Sequence, residues 1–231
     1  MLVILASPHD AAAQRLVEQW APHGAALLTS RDLSVAGWQL NSGRTPSPST
    51  AIVGGQIVEE ATIQGVLTRI AAVAPGDLAD IVAADQPYVS AEMTAFLLAW
   101  LSELDCPVLN RPTPTCLSGP GWRPEHWVFL AGQLDIPVRE VMLGPGPVQP
   151  ERVEAPVSVT VVNDRCFGDV DDVLAGHARR LAAAGGVDLL KVQFSGSDGG
   201  AELVGASAWP EISAPDIAGA ILERLLEDRQ C

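Results

Sequence analysis

Several polar side chains follow predicted strands at the points where those strands end. His9 comes after the apolar stretch MLVILAS, Arg69 follows a mostly apolar segment, and Asn110 and Arg111 follow CPVL. Ligands collect outside the carboxyl ends of strands in an open α/β sheet. These four residues are therefore predicted to lie near one ligand-binding cleft. For Arg69 an alternative stays open, a surface arginine whose aliphatic stem covers apolar neighbours.

Three further candidates lie on predicted helices. Glu92 occupies the first turns of a long helical pattern, where its carboxylate either stabilises the helix dipole or acts as an acid in a cleft. Arg123 and His126 lie where another helix begins, close to two tryptophans. Glu92 and His126 could form an acid/base pair. No Ser-His-Asp or Cys-His spacing indicates nucleophilic catalysis.

The first half of the chain predicts the elements that would position these residues. A continuous apolar strand is followed by Asp10, which suits a helix N-cap, then by an amphipathic helix and the strand AALLTS. This order predicts a Rossmann-like sheet with parallel strands. No glycine-rich fingerprint follows the first strand, so we expect no dinucleotide cofactor, and none of another kind is predicted.

The second half predicts a smaller unit. The stretch 157–212 reads as a strand, a polar turn, one amphipathic helix and a closing hairpin. Four prolines in the preceding segment predict a semi-rigid linker at 143–156. The expected organisation is a domain of residues 1–142, this linker, and a module of residues 157–231. The apolar stripe of the last helix would pack on the core or on a partner.

Composition excludes several classes of function. The chain has 231 residues and a formal net charge of −14, without the clustered basic residues that nucleic acid binding requires. Lys191 is its one lysine. No stretch approaches the roughly 20 apolar residues of a membrane span, and the N-terminal apolar run is too short for a signal peptide. We therefore expect a cytoplasmic protein whose four cysteines stay reduced and hold no zinc.

Several stretches resemble, in order, the ATP-grasp superfamily, specifically its RimK-like and graspetide peptide ligases. GGQIVEEATIQGVLTRI is similar to a hairpin and strand of that family, where Arg69 matches an arginine. The segment 88–114 resembles a helix and a strand ending in an asparagine, here Asn110. LSGPGWRPEHWVFLAGQLDIPV and the stretch 157–212 are similar to the helix that introduces the grasp and to the final module. The resemblance implies an α/β protein: a Rossmann-like pre-ATP-grasp domain followed by a small α+β remnant of the ATP-grasp C-terminal module.

The chain departs from that family where the family holds ATP and Mg²⁺. The proline-rich linker stands in place of a whole ATP-binding lobe, and Trp122-Arg123 replaces a lysine at the start of a helix. The family's acidic residue in the first hairpin strand matches Gln193. Its glutamate and asparagine in the second strand match Gly205 and Ser207. Mg²⁺ requires hard oxygen ligands, and phosphoryl transfer depends on it, so no metal site is expected.

These observations favour a non-catalytic ATP-grasp-like binding or accessory protein that partners a biosynthetic or peptide-modifying enzyme. Its expected partners are another protein or a second copy of itself, with a peptide or a small molecule as ligand. Two alternatives stay open. One is an enzyme of another class that reuses the cleft, and the other is a subunit of a split ATP-dependent carboxylate-amine ligase.

Overall fold

The computed structural model describes three stretches of the chain, residues 1–41, 48–138 and 157–227. The chain forms two compact units, of which the first comprises Met1–Gly121 and Ile212–Cys231 and the second comprises Trp122–Glu211. The expected division at the linker 143–156 stays a prediction, because that linker lies outside the described residues. The helix that begins at Pro124 belongs to the second unit because it contributes Trp127 and Ala131 to its core.

The first unit is built on a parallel sheet. Its strands are β1 (Leu2–Leu5), β2 (Ala25–Leu28), β5 (Gly65–Thr68) and β6 (Val108–Leu109), in the order β2-β1-β5-β6. A separate hairpin consists of β3 (Thr50–Val53) and β4 (Gln56–Glu59). Gly54 and Gly55 turn that hairpin with φ of 58° and 75°, the left-handed conformation that glycine adopts readily. The order of these elements confirms a mixed α/β protein.

Three helices complete the first unit: α1 (Ala11–Gln19), α2 (Gln86–Glu103) and α5 (Pro215–Leu226). The Asp10 carboxylate accepts hydrogen bonds of 3.0 Å from the N–H groups of Ala12 and Ala13, which is the N-cap that the sequence predicted. The buried face of α2 includes Leu97, Trp100 and Leu101, which have no exposed surface.

The last helix of the chain packs on the core of the first unit. Ile221 and Leu225 of α5 are fully buried. A Cβ atom on Gly65 of β5 would lie 2.6 Å from the carbonyl oxygen of Leu225, so only glycine lets the helix approach the strand this closely. The sequence left two destinations open for this apolar stripe, the core and a partner. The structure shows that the stripe packs on the core.

The second unit is an antiparallel sheet covered by two helices. Its elements are α3 (Pro124–Gln133), β7 (Val157–Val162), β8 (Arg165–Phe167), α4 (Asp172–Ala184), β9 (Leu189–Phe194) and β10 (Leu203–Ser207), with the strand order β10-β9-β7-β8. The strand β8 was not predicted, because three residues carry no readable periodicity. Asp171 caps α4 by accepting the N–H of Leu174 at 2.9 Å. Among the described residues, no helix combines the length and the apolar character needed to cross a bilayer.

Candidate functional site

The carboxyl edge of the parallel sheet carries Arg69 in a buried ion pair. Its Nε donates to Oδ2 of Asp10 at 3.1 Å, and the two side chains are only 9% and 15% exposed. The same Asp10 carboxylate caps α1 with its other oxygen. Arg69 is therefore not a surface arginine: its guanidinium ties the end of β5 to the start of α1.

Asn110 and Arg111 follow β6 at the same edge. Asn110 is 2% exposed, and a Cβ atom on Gly119 would lie 2.9 Å from its Cβ, so the following loop packs tightly over it. The Arg111 guanidinium donates to the carbonyl oxygens of Leu104 and Cys106, each at 3.0 Å. Arg111 thus satisfies carbonyl groups that the end of α2 leaves without helical partners.

None of the remaining predicted residues takes part in the Arg69–Asp10 pair. His9 and Glu92 are exposed on the first unit, and Arg123 and His126 are exposed at the start of α3 in the second. The predicted acid/base pair of Glu92 and His126 is therefore divided between the two units. The structure brings together Arg69 and Asp10, and Asp10 was predicted as a cap without its ion-pair role.

Two groups of acidic residues in the first unit were missed by sequence reasoning. Asp32 is buried and accepts hydrogen bonds from the Thr29 N–H at 2.8 Å and the Gly55 N–H at 2.7 Å, which joins the end of β2 to the hairpin. Glu60 and Asp105 line a cavity of about 250 Å³. Burial raises the pKa of Glu60. The nearby Trp100 indole N–H favours the charged carboxylate and so partly opposes this rise, although it forms no hydrogen bond of normal geometry among the described residues. The Asp105 carboxylate raises the pKa of Glu60 further.

One face of the antiparallel sheet in the second unit carries a polar stretch beside the buried apolar pair Val162 and Leu189. Strand register places Lys191 of β9 directly between Thr160 of β7 and Ser207 of β10. Directly opposed residues project from the same side of the sheet, about 5 Å apart. The residues that form this polar sheet face are Ser158, Thr160, Lys191, Gln193, Gly205 and Ser207. The opposite face carries the apolar residues that pack under α3 and α4.

The polar sheet face does not fit a magnesium ion. Gln193 lies opposite Gly205, so these two positions supply one neutral amide oxygen and no side chain, respectively. None of the four strands contains an aspartate or a glutamate. Within the described part of the chain, no group of three or more His, Cys, Asp and Glu side chains could hold a metal ion. Mg²⁺ prefers hard carboxylate oxygens in octahedral geometry, which these residues do not provide.

Asp188 is a carboxylate close to this face along the chain, and sequence reasoning did not select it. It directly precedes β9, is half-buried, and accepts the Asn163 N–H at 2.6 Å through its backbone carbonyl. A carboxylate at the start of a predicted strand was the signal that could have identified it. A single carboxylate is a small fraction of an octahedral ligand set, so Asp188 does not change the conclusion about the metal.

Comparison with known proteins shows similarity in structure rather than in sequence. No protein-family model matches the chain, and no curated protein sequence matches it. The macrocyclase MdnC of Microcystis aeruginosa, solved with its precursor peptide MdnA, is 12% identical with a TM-score of 0.69, and the alignment covers 99% of this chain and 100% of that chain.

Two further solved structures extend this similarity. The ATP-grasp ligase PsnB, complexed with a minimal precursor, is 14% identical with a TM-score of 0.66 and 97% coverage of each chain. A RimK domain ATP-grasp protein of Sphaerobacter thermophilus is 16% identical with a TM-score of 0.52, covering 98% of this chain and 100% of that one. The resemblance found in the sequence is thereby confirmed at the level of structure: the chain has an ATP-grasp-like fold.

Proposed function

We propose that this chain is a non-catalytic ATP-grasp-like protein that binds a peptide and acts beside a biosynthetic or peptide-modifying enzyme. The observation that carries the proposal is the register of β9 and β10, which sets Gln193 opposite Gly205 and Lys191 opposite Ser207. A positive charge and neutral side chains occupy the face where a nucleotide-bound metal would need carboxylates.

This arrangement argues against phosphoryl transfer by the chain alone. Catalysis of that reaction rests on positioning and on neutralising the charge that develops on the phosphoryl oxygens, which Mg²⁺ supplies. Loss of one preorganised electrostatic contact already costs about 3 kcal/mol of transition-state stabilisation, and loss of a metal costs more. The second unit has the antiparallel sheet but lacks carboxylate ligands for Mg²⁺ on its strands.

The proposal also assigns the two units. The first unit corresponds to a Rossmann-like pre-ATP-grasp domain. Its parallel sheet comes before the helix that matches the first helix of the ATP-grasp region in the resembled family. The second corresponds to the C-terminal module. Only the segment 139–156 connects Val138 to β7, which leaves no room for a separate ATP-binding lobe. A cytoplasmic location and a protein partner or homo-oligomer belong to the same proposal.

A peptide is the ligand class that the neighbours favour. MdnC was solved with a precursor peptide, and PsnB with a minimal precursor. An ATP-grasp-like fold that has lost its metal ligands can retain a peptide-binding surface, because peptide recognition does not require the metal. The proposed role is therefore to hold a peptide for an enzyme that supplies the chemistry.

Calorimetric titration of the purified chain with ATP and Mg²⁺ tests the proposal. We expect no saturable heat at up to millimolar nucleotide and no ATP hydrolysis above the rate in buffer. A matched variant, Gly205→Glu combined with Ser207→Asn, restores the family's residue types at two positions and serves as the comparison. Micromolar, Mg²⁺-dependent binding by the unmodified chain would contradict the proposal.

The two alternatives are less well supported. An enzyme of another class that reuses the strand-end cleft would need Arg69 and Arg111 for substrate, whereas both bond within the first unit. A split ligase subunit would gain Mg²⁺-dependent ATPase activity when the missing lobe is added as a second protein. The same assay with a co-purified partner distinguishes that case.

A further inference from the structure

The cavity of about 250 Å³ in the first unit has a lining that is partly acidic and partly apolar. Its carboxylates are those of Glu60, which directly follows β4, and of Asp105, which lies just after α2. The apolar part of the lining includes Ala61, Ile63 and Leu104. A ligand that matches this lining has an alkyl stem and a positively charged head, as arginine and lysine side chains do.

The carboxylates of this cavity are not neutralised within the described part of the chain. Neither Glu60 nor Asp105 forms an ion pair there, and the charges that act on Glu60 are those of Asp105 and Glu103, both negative. Arg111 is not among those charges, and its guanidinium is bonded to backbone carbonyl groups. Like charges near a half-buried carboxylate disfavour its ionised form, and a bound cation reverses that effect.

Trp100 supplies a second observation, which does not depend on the acidic residues being clustered. Its side chain is fully buried, and its indole N–H has no hydrogen-bond partner of normal geometry among the described residues. This N–H faces the Glu60 carboxyl. A buried donor without an acceptor destabilises the site. A cation that holds Glu60 ionised gives the indole a charged acceptor, which forms a stronger hydrogen bond than a neutral one.

We infer that this cavity binds one alkyl guanidinium, with its head between the Glu60 and Asp105 carboxylates and its stem against the apolar lining. The inference does not rest on the proposed function, because the cavity lies wholly in the first unit. A guanidinium suits the site better than an ammonium, since its planar fork donates to two carboxylates at once and is more weakly hydrated. A metal ion is not the expected occupant, because within the described residues no group of three or more His, Cys, Asp and Glu side chains offers it a site.

Calorimetric titration of the full chain with a matched pair of probes tests the inference. Nα-acetyl-arginine methylamide carries one positive charge, and Nα-acetyl-citrulline methylamide has nearly the same shape without that charge. We expect saturable binding of the arginine derivative and none of the citrulline derivative at the same concentration. Two sources share this chemistry, a free alkyl guanidine and an arginine of another protein. Tighter binding of n-butylguanidinium indicates the first source, and tighter binding of the arginine derivative indicates the second.

Two variants connect the binding to the cavity. Glu60→Gln keeps the shape of the side chain and removes its charge, so the affinity for the arginine derivative should fall at least about tenfold. Glu18→Gln is the matched control, because it removes the same charge from an exposed position of α1 and should change the affinity less than about twofold. Thermal unfolding of both variants confirms that they fold.

Cys106 lines the cavity and reports where the ligand binds. Saturating arginine derivative should slow the reaction of Cys106 with iodoacetamide at least about threefold in peptide mass spectrometry, because the bound ligand blocks access to the thiol. Cys166, a free thiol in the second unit, should react at an unchanged rate.

Four results would overturn the inference. Equal affinity for the two matched probes, or unchanged affinity in the Glu60→Gln variant, would show that the cavity does not select a cation. Equal protection of both cysteines would show attraction to the net charge of −14 without a site. Equal or tighter binding of Nα-acetyl-lysine methylamide would overturn the choice of a guanidinium.

Discussion

The strand-end edge of the first unit and the polar sheet face of the second use their cations in opposite ways. At the edge, Arg69 is paired with Asp10, and Arg111 donates to carbonyl groups at the end of α2. On the polar sheet face, Lys191 has hydroxyl neighbours and no carboxylate partner in the described part of the chain. From the sequence, the first region is predicted to be a cleft, but its arginines bond to groups within the protein. The second region is apolar in most of its sequence, yet it carries a charged lysine.

The difference teaches where to look for function in this fold. A cation that is satisfied internally contributes to stability, and replacing it should weaken the folded state. A cation without an internal partner contributes little to stability, so replacing it should leave the folded state nearly unchanged. Comparing stability in matched variants therefore separates the two regions.

The largest expected effect is at Arg69. Arg69→Met leaves the Asp10 carboxylate buried without its ion-pair partner, so the free energy of unfolding should fall by about 3 kcal/mol. Urea denaturation measures it. Arg15→Met is the matched control, since Arg15 is exposed and, among the described residues, its side chain bonds to the Ser213 hydroxyl alone, at 3.0 Å. Its effect should stay under about 0.5 kcal/mol. Equal effects at both positions would contradict the structural role of Arg69.

Arg111 should show the next largest effect. Arg111→Met removes charged donors from the carbonyl groups of Leu104 and Cys106, and the unfolding free energy should fall by about 2 kcal/mol. Arg111→Lys should recover part of this loss, because one ammonium can reach fewer of these oxygens than the forked guanidinium. A Met variant as stable as the wild type would show that the end of α2 is satisfied by water instead.

Lys191 should behave differently from both arginines. Lys191→Met removes a half-buried ammonium with no carboxylate partner among the described residues, so the unfolding free energy should stay within about 0.5 kcal/mol of wild type or rise. The measurement is the same urea titration. A loss comparable to that of Arg69→Met would mean that Lys191 is a structural residue, and the contrast between the two regions would no longer hold.

The smallest effect concerns pH and His177 in α4. Burial lowers the pKa of His177, the nearby Arg180 lowers it further, and Asp171 partly opposes them. Because the folded state then binds the proton less readily than the unfolded chain, the contribution of neutral His177 to stability is present above about pH 6.5 and is lost as the pH falls. His177→Gln should therefore lose less stability than wild type between pH 7.5 and 5.5. His126→Gln, at an exposed histidine, should lose as much as wild type.

Much of the local structure was predictable from the sequence. The Asp10 cap, the glycine turn of the first hairpin and the buried stripe of α4 follow from residues close together in the chain. The site was predictable only in part. Arg69, Asn110 and Arg111 do lie at the carboxyl edge of the sheet, yet the partners of the two arginines could not be foreseen. Asp10 and Arg69 are 59 residues apart, and no local pattern joins them.

The sequence by itself determined most of the elements, the ATP-grasp resemblance and the absence of acidic residues from the last four strands, because periodicity, capping and residue type are properties of neighbouring positions. Only the tertiary structure decided which polar residues are satisfied. Strand register, which puts Lys191 between Thr160 and Ser207, depends on pairing between distant segments, and a slip of one residue would have turned that lysine into the core.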